Sequence, residues 1–355
     1  MDLLIVNAIT HDRGWSPIQH MVAMAGKLLD ADVVEADRSS VSSTAKLLSI
    51  LRRRSREGAD NDACLLVCTG PSDLLTLLNI ENWRSRFRYL AAWVIDSFWL
   101  DHISISMRIA NPFDQIFVTS LEDVDQWKRM TGVETTWLPW GTDAFRLGQC
   151  GAERVWDVTR VGRQPPEWDN DLEAESAAKL LGIKYRGRPD STGLNTLQNQ
   201  QLMMAVYGAT KYNVAFSNAV NRDPNNHPTR EYLTGRWVDA LGCGSTVAGV
   251  APRGPNTDGL LWKGATLELG GIRRKEGLQV LAAALEEWTP DMAVRNHRMA
   301  LARLDWRWRF KVIADACGTR AERLASELGQ LQERISALST PAGSYYEMQG
   351  SIARR

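Results

Sequence analysis

The fold can be inferred from one stretch of the sequence, His227-Pro-Thr-Arg-Glu-Tyr-Leu-Thr-Gly-Arg-Trp-Val-Asp-Ala-Leu-Gly-Cys-Gly-Ser-Thr-Val-Ala-Gly249. Apolar residues at helical spacing predict a helix over 229–241, and a short apolar run predicts a strand over 246–250. Gly242 and Gly244 end the helix and permit a tight turn into the strand. A helix that leads directly into a short buried strand is typical of a parallel α/β unit.

Short apolar runs alternate with helical stretches through most of the remaining sequence. Strands that are apolar throughout are typical of parallel sheets covered by helices on both faces. The pattern runs through the first half and then restarts, so we predict two Rossmann-like, doubly wound α/β domains that face a cleft. The predicted strands are 3–6, 33–34, 64–68, 90–95, 115–118 and 136–138 in the first domain, and 156–161, 183–185, 212–216 and 246–250 in the second.

The restart of the pattern also predicts the domain boundaries. We expect a first domain over 1–145 and a second domain over 155–290. Helical patterns dominate the last third, so 291–338 are expected to form C-terminal helices, and the small and polar residues of 339–355 are expected to form a flexible tail. The helices predicted in this third are 275–288, 292–317 and 321–338.

Composition narrows the functional class. The 355 residues include 42 Lys and Arg against 42 Asp and Glu, so the formal net charge is zero. A general nucleic-acid-binding protein usually has a basic excess, so nucleic acid is not an expected partner. The five cysteines form no Cys-x-x-Cys pair, which favours reduced thiols and a cytoplasmic location. The sequence shows neither an apolar stretch of ~18 residues nor a basic leader, so no membrane span or signal peptide is expected.

The tryptophan content is high, with 14 Trp against 7 Tyr and 7 Phe. Because the tryptophans are scattered, packing in cores explains them better than sugar stacking or a membrane belt. The run Trp306-Arg-Trp-Arg-Phe310 predicts a helix that packs Trp on one side and exposes Arg on the other. The alternative is a basic aromatic face against an anionic membrane, which would add peripheral association at the inner face of the membrane.

Two common nucleotide-binding motifs are missing from the sequence. The first predicted strand is followed by Asn7-Ala-Ile-Thr-His-Asp-Arg-Gly14, which lacks the Gly-x-Gly-x-x-Gly turn of dinucleotide-binding domains. A phosphate-binding Gly-x4-Gly-Lys-Ser/Thr loop is also missing. These observations argue against an NAD-dependent dehydrogenase and against the common nucleotide hydrolases.

The 227–249 segment resembles the donor-binding signature of two-domain, B-type (GT-B) nucleotide-sugar glycosyltransferases. Those families carry Glu-x7-Glu, then Ala-x-Ala-Cys-Gly and a short valine-rich strand. The corresponding elements here are Glu231, Asp239, Ala240-Leu-Gly-Cys-Gly244 and Thr246-Val247. The run Arg236-Trp-Val-Asp239 is most similar to the group 1 and CgeB-type bacterial enzymes, with Asp239 in place of the usual Glu.

Four further stretches resemble the same family, in family order along 90–250. The resemblance implies the GT-B fold, with C-terminal helices that pack back on the first domain. It also implies transfer of a hexose from a nucleoside diphosphate sugar to a hydroxyl group of a glycan, lipid or protein, in bacterial glycan or glycoconjugate biosynthesis and without a metal ion or other cofactor. The four stretches are Ala92-Trp-Val-Ile-Asp96-Ser, Phe113-Asp-Gln-Ile-Phe-Val-Thr-Ser120, Leu138-Pro-Trp-Gly-Thr-Asp143 and Asp157-Val-Thr-Arg-Val-Gly162-Arg163.

The resemblance also implies which residues bind the donor. Gly162 and Arg163 are expected near the donor phosphates, Asp239 near the ribose, and Glu231 near the sugar or the phosphates as a catalytic residue. Many relatives place a Lys about five residues after such an Arg, where this chain has Trp168. The basic residues that could substitute for this lysine are Lys211, Arg222, Arg230 and Arg236; of these, Arg222 lies outside the residues that the structure below describes.

Further candidates complete the predicted site. Pro228 is a good first-turn residue, so the helix is expected to begin there and to direct its free N–H groups toward the diphosphate. Gly244, in the glycine turn of the signature, is also a donor-binding candidate. On the acceptor side, Asp96 follows a predicted strand and His11 lies in the loop after the first strand, so both are catalytic candidates.

Two alternatives to a transferase stay open. One is a nucleotide-sugar epimerase of the same two-domain architecture, which needs no acceptor. The other is a catalytically silent binding or scaffold protein, which the replacements at Trp168 and Asp239 favour.

Overall fold

The computed structural model describes residues 2–51, 60–220 and 227–339. The strands of the first half are β1 (Leu3–Ala8), β2 (Asp32–Glu35), β3 (Asp60–Cys68), β4 (Phe87–Val94), β5 (Gln115–Val118) and β6 (Glu134–Trp137). They form one parallel sheet in the order β2-β1-β3-β4-β5-β6. Its helices are α1 (Ser16–Leu28), α2 (Ser43–Leu51), α3 (Trp83–Arg86), α4 (Ile105–Ala110) and α5 (Val124–Thr131).

A second parallel sheet follows. Its strands are β7 (Trp156–Arg160), β8 (Tyr185–Arg186), β9 (Thr210–Phe216), β10 (Thr246–Val250) and β11 (Thr266–Glu268). They are arranged as β11-β10-β9-β7-β8. Its helices are α6 (Pro166–Asp169), α7 (Asp171–Lys179), α8 (Thr196–Gly208), α9 (Gly235–Gly242), α10 (Pro255–Leu260) and α11 (Arg274–Glu286).

Both sheets are doubly wound, as the sequence predicts. In each, the strand order reverses beside the first strand, β1 or β7, so the next strands lie on opposite sides of it. Helices cover both faces because the strands are apolar on both sides. We call each sheet with its helices a lobe, the first lobe containing β1–β6 and the second β7–β11. The three-residue strand β11 was not predicted, because so short a run has no recognisable periodicity.

The C-terminal helices connect the two lobes. They are α12 (Pro290–Arg303), α13 (Trp306–Cys317) and α14 (Glu322–Ala337). Trp306, Phe310 and Ile313 of α13 are buried in the core of the first lobe, so the predicted packing back on that lobe is confirmed for α13. Helix α12 instead packs on α9 of the second lobe, with Ala300 and Leu301 in that core. Apart from Ser339, the predicted tail lies outside the described residues.

The predicted single helix over 292–317 is wrong, because the chain crosses between the lobes at Leu304 and Asp305. The segment at Leu304 and Asp305 pairs with Thr142, where the chain crosses between the lobes for the first time. The Thr142 N–H donates to Leu304 O at 2.8 Å, and the Trp306 N–H donates to Thr142 O at 3.0 Å. Gly141 is required beside this pair, because a Cβ atom there would lie 2.7 Å from Leu304 O. The two crossings together form a hinge.

The arginines of the Trp306–Phe310 run are buried, which corrects the expectation that they are exposed. Arg307 is 1% exposed and Arg309 is 5% exposed. Arg309 donates to the carbonyl oxygens of Pro139 and Trp140 at 3.3 and 3.1 Å, so its charge is used inside the hinge. This run therefore offers no basic face to a membrane. Within the described residues, no helix is both long enough and apolar enough to cross a membrane.

Candidate active site

The carboxyl ends of the two sheets face each other across a crevice. Phe98, shortly after β4, stacks its ring on Tyr232 of the second lobe with the ring centroids 4.1 Å apart. Farther along, the Asn256 N–H donates to Glu122 Oε1 of the first lobe at 3.1 Å. Open α/β sheets bind ligands outside the carboxyl ends of their strands, where the strand order reverses. The crevice between the two lobes is therefore the candidate site.

Asp96 follows β4 at this edge of the first lobe. Its N–H donates to Thr69 O at 2.8 Å, which ties it to the turn after β3. Burial raises the pKa of Asp96 to about 7, and the positive charge of Arg163 from the second lobe opposes this rise. A carboxyl group with a pKa near neutrality can take up and release a proton, as a general base must.

Three arginines hold the loop that follows β7. Gly162 has a φ of +76°, a conformation that glycine adopts without strain. Its carbonyl oxygen accepts from Arg160 Nη1 at 3.2 Å and from Arg188 Nη2 at 3.1 Å. The carbonyl oxygen of Arg163 accepts from Arg236 Nη1 at 2.7 Å. The side chain of Arg163 is exposed, and its charge acts on Asp96 across the crevice.

The second lobe concentrates positive charge beside this loop. Burial lowers the pKa of Arg236, and the charge of Arg163 lowers it further. The hydrogen bonds of the Arg236 guanidinium go to uncharged oxygens, the Arg163 carbonyl and the Thr234 hydroxyl at 3.3 Å. An anion bound between Arg163 and Arg236 would relieve their repulsion, so this part of the crevice is suited to a phosphate group.

Glu231 precedes the helix instead of standing on it, which corrects the prediction. α9 begins at Gly235, with Thr234 as its N-cap. Glu231 and Asp239 therefore do not share a helix face. The predicted helix start at Pro228 is wrong. Diphosphate binding at the amino end of this helix stays a prediction, now referred to Gly235 instead of Pro228.

Side chains explain why the helix begins late. The His227 Nδ1 atom accepts hydrogen bonds from the Thr229 and Arg230 N–H groups at 3.2 and 3.1 Å. Asn218 Nδ2 donates to Arg230 O at 2.5 Å, so the carbonyl that a helix would use is already occupied. Such local side-chain bonds compete with helix formation.

Glu231 is held at the carboxyl edge of the second sheet. Its Oε2 atom accepts from Ser217 Oγ at 2.5 Å and from the Arg253 N–H at 3.3 Å. Ser217 directly follows β9, and its own N–H donates to Val250 O at the end of β10 at 2.7 Å. The carboxylate is therefore fixed between the ends of two central strands, where a ligand in the crevice can reach it.

Asp239 is enclosed, with 3% of its surface exposed. It lies in the second turn of α9, and its Oδ2 atom accepts from Gln200 Nε2 at 3.0 Å. Burial raises the pKa of Asp239 to about 6, although the hydrogen bonds of Gln200 and Thr142 favour the charged form. This arrangement contradicts the expected contact with a ribose, because the carboxylate faces α8 and the hinge instead of the crevice.

Lys211 and Gly244 lie at the opposite edge of the second sheet. Lys211 is near the amino end of β9, where its Nζ atom is 2.7 Å from Asp157 Oδ1. Gly244 precedes β10 and packs against Ala293 O. Because the strands are parallel, both residues are about 15 Å or more from the carboxyl edge. The structure therefore does not bring them to the expected phosphate site.

Arg230 is directed at the first lobe. Its Nη2 atom is 3.6 Å from Asp123 Oδ1 and donates to Gln126 Oε1 at 3.3 Å. The guanidinium thus contacts the first lobe, and phosphate binding by Arg230 stays a prediction. His11 lies in the loop after β1, exposed and 3.2 Å from Glu35 Oε2, at the same edge as Asp96 but two strands away.

The lysine expected in the phosphate site is replaced by a core residue. Trp168 is fully buried, and its Nε1 atom donates to Ile272 O at 3.0 Å. A Cβ atom on Gly277 would lie 2.8 Å from the Trp168 ring, so the indole fills its pocket closely. This position supports the second lobe and contributes no charge to the crevice.

Several site residues were missed in the sequence. Ser217 and Asn218 could have been found, because polar residues directly after a buried strand of a parallel sheet lie at its binding edge. Arg188 and Arg253 had no such signal, since they lie in loops whose course depends on tertiary contacts.

A cavity of about 640 Å³ lies away from the crevice, at the amino ends of β4, β5 and β6. Its lining includes Tyr89, Asn111, Asp114 and Glu134. We do not assign the site there, because parallel sheets bind ligands at the other edge. Among residues 2–51, 60–220 and 227–339, no group of three or more His, Cys, Asp or Glu side chains could hold a metal ion.

Solved structures resemble this chain in fold. No protein-family model matches the sequence, and no curated protein matches it. A structure of the Anabaena protein HepE with UDP and glucose matches with a TM-score of 0.55 and 12% identity, covering 90% of this chain and 100% of HepE. HepE with UDP-glucose gives a TM-score of 0.54 at the same identity and coverage.

A third match is AviGT4, a glycosyltransferase of avilamycin A biosynthesis, with a TM-score of 0.48, 11% identity, and coverage of 95% of this chain and 98% of AviGT4. The two facing, doubly wound sheets and the likeness to HepE show that this chain has the GT-B fold found in nucleotide-sugar glycosyltransferases.

Proposed function

We propose that the protein is a glycosyltransferase that moves a sugar from a nucleoside diphosphate sugar to a hydroxyl acceptor without a metal ion. The observation that carries this proposal is that Asp96 follows β4 and Arg163 follows β7, so both lie at the carboxyl edges that face the crevice, where the charge of Arg163 acts on Asp96. One lobe offers a carboxyl group that titrates near neutrality. The other offers the positive charge that an anionic leaving group needs.

The proposed reaction divides its tasks between the lobes. The bond from the anomeric carbon to the diphosphate oxygen breaks, and the diphosphate leaves with the electron pair. Arg163 and Arg236 stabilise the negative charge that develops on it. The acceptor oxygen bonds to the anomeric carbon, and its proton passes to the Asp96 carboxylate. Glu231, fixed by Ser217, accepts hydrogen bonds from the sugar hydroxyl groups.

The acceptor would bind on the first lobe, between Asp96 and the rim near His11. A glycan, a lipid or a protein could supply the hydroxyl group. A hexose as the transferred sugar, a role in polysaccharide biosynthesis and a cytoplasmic location belong to the same proposal. The likeness to HepE, which was solved with UDP-glucose, makes uridine diphosphate sugars the first donors to test.

Calorimetry with a panel of nucleoside diphosphates and their glucose conjugates tests the proposal. We expect one base to bind, and we expect Arg163→Met to weaken its affinity about tenfold because a charge-assisted contact is lost. Lys211→Met removes a positive charge from the opposite edge and is the matched control, with unchanged affinity. Transfer to an acceptor should persist in the presence of a chelator.

Two results would contradict the proposal. If no nucleoside diphosphate or sugar conjugate binds, the scaffold alternative is correct. If the donor alone is converted to an isomeric sugar nucleotide, the protein is an epimerase.

A further inference from the structure

Both residues that flank Glu231 contact the first lobe. Arg230 places its Nη2 atom 3.6 Å from Asp123 Oδ1. Tyr232 stacks on Phe98, with the ring planes 9° apart. Glu231 itself is bound to the second lobe, so this three-residue segment is shared between the two lobes.

Asp123 has an unusual environment for a carboxylate. It is fully buried in the turn Leu121–Asp123 after β5, and Ser97 Oγ donates to its Oδ2 atom at 3.3 Å. Within the described part of the chain, its Oδ1 atom accepts no hydrogen bond. Among the described residues, the cation that pairs with this oxygen is Arg230, which belongs to the other lobe. A buried carboxylate without a cation is strongly unfavourable, so the contact with Arg230 favours closed lobes.

The segment transmits this contact to Glu231. Asn218 donates from Nδ2 to Arg230 O at 2.5 Å and accepts from the Tyr232 N–H at 3.4 Å, so one side chain holds the backbone on both sides of Glu231. The segment is short and anchored in this way, so it moves as one piece. Loss of either contact with the first lobe therefore removes a support of the backbone beside Glu231, while Ser217 still binds the carboxylate.

We propose that Asp123 is a positioning residue for the transfer step, because its ion pair with Arg230, together with the Phe98–Tyr232 stack, fixes Glu231 when the lobes close. The inference rests on the proposed function, since it takes Glu231 to act on a bound donor. When the lobes separate, Asp123 loses its cation, and the residues on both sides of Glu231 lose their contacts with the first lobe. Closure of the crevice and placement of Glu231 are then one event, and the sugar is activated after water has been excluded.

Kinetics of single and double variants test the positioning role. Asp123→Asn keeps the shape of the side chain, and Arg230→Gln removes the cation from the other lobe. We expect each to lower kcat about a hundredfold, the cost of a misplacement of about 1 Å, while KM for the donor changes little. The double variant should match the single variants, because the two residues act as a unit.

The matched control is Glu134→Gln. It removes a carboxylate from an exposed ion pair within the first lobe, where Lys128 Nζ lies 2.7 Å from Glu134 Oε2. We expect wild-type kcat from this control. Wild-type kcat in folded Arg230→Gln, or additive losses in the double variant, would overturn the proposal.

Small-angle X-ray scattering tests the closure itself without requiring turnover. We expect a larger radius of gyration for Asp123→Asn and Arg230→Gln than for the wild type and Glu134→Gln. If no sugar transfer is found but the variants expand, the proposed function fails and the contact between the lobes stands. If Asp123→Asn does not fold, Arg230→Gln decides, because its side chain is 35% exposed in the wild type. A wild-type radius of gyration in folded Arg230→Gln overturns the inference.

Discussion

The hinge and the crevice both bring charged side chains together, but they balance those charges differently. In the hinge, Arg307 Nη1 lies 2.9 Å from both Asp143 Oδ1 and Asp305 Oδ1, and its Nε atom lies 2.6 Å from Glu327 Oε2. One buried cation thus meets three carboxylates. In the crevice, Asp96 meets the charge of Arg163, and Arg236 is bonded to uncharged oxygens.

The pKa values show the consequence. Burial acts to raise the pKa of Asp143, but the hydrogen bond from His20 and the charge of Arg307 outweigh it and hold the pKa below its ordinary value. Burial raises the pKa of Asp96 to about 7, because Arg163 offsets only part of the effect. Closely paired charges stabilise a fold, whereas a carboxyl group whose pKa lies near neutrality is suited to proton transfer. We therefore propose that the hinge charges are structural and that the crevice charges serve the chemistry.

The largest effect is expected for Asp96→Asn. Loss of a general base lowers the transfer rate by about a thousandfold. In the wild type, the rate should fall as the pH drops through about 7, because Asp96 becomes protonated. Rates measured from pH 5 to 9 should show this acidic limb in the wild type and not in the variant. An unchanged limb in the variant would mean that another group is the base.

Arg307→Met tests the hinge. Removing the cation leaves Asp143 and Asp305 buried and uncompensated, which costs about 3–5 kcal/mol of unfolding free energy. Urea denaturation measures this loss. The companion variant Arg163→Met removes the same charge from the crevice and should leave the free energy of unfolding almost unchanged. Equal losses of unfolding free energy in Arg307→Met and Arg163→Met would mean that the hinge and the crevice charges contribute equally to stability, which contradicts the comparison.

Glu231→Gln should reduce turnover about a hundredfold, as expected for one oriented polar group in an active site. The melting temperature should stay close to that of the wild type, because the amide can keep the contact with Ser217. Glu175→Gln, on the exposed side of α7, is the control for the loss of one negative charge. If Glu231→Gln turned over at the rate of this control, Glu231 would have no role in the reaction.

The smallest effect is expected for Lys211→Met. Its amine is paired with Asp157 and lies at the amino edge of the second sheet, so turnover should not change. A loss of turnover comparable to that of Glu231→Gln would mean that the donor binds at the amino edge of the second sheet, which would contradict the proposed site.

The sequence predicts the two sheets well because their strands are continuous apolar runs, such as Cys64–Cys68, that periodicity identifies directly. It predicts the site only in part. Asp96 and Arg163 follow strands that are easily recognised, so their position at the binding edge could be inferred. The late start of α9 could not, because it depends on Asn218, which is distant in sequence from the helix.

The same limit explains the errors over charged residues. Asp239 stands on an amphipathic helix, but sequence periodicity does not tell whether its polar face meets the crevice or α8. Arg307 looks like a solvated charge until the fold brings Asp143 to it from a distant part of the chain. Whether a charged residue is structural or functional depends on its pairing with residues that are distant in sequence. A local sequence pattern carries no information about such pairing.

The most direct test of the central claim is a crystal structure with the nucleoside diphosphate that binds best in calorimetry. We predict that the diphosphate lies between the carboxyl edges of the sheets, with its oxygens in hydrogen-bonding distance of Arg163 and Arg236. Density for the nucleotide in the cavity beside Tyr89, or anywhere else outside the crevice, would contradict the account.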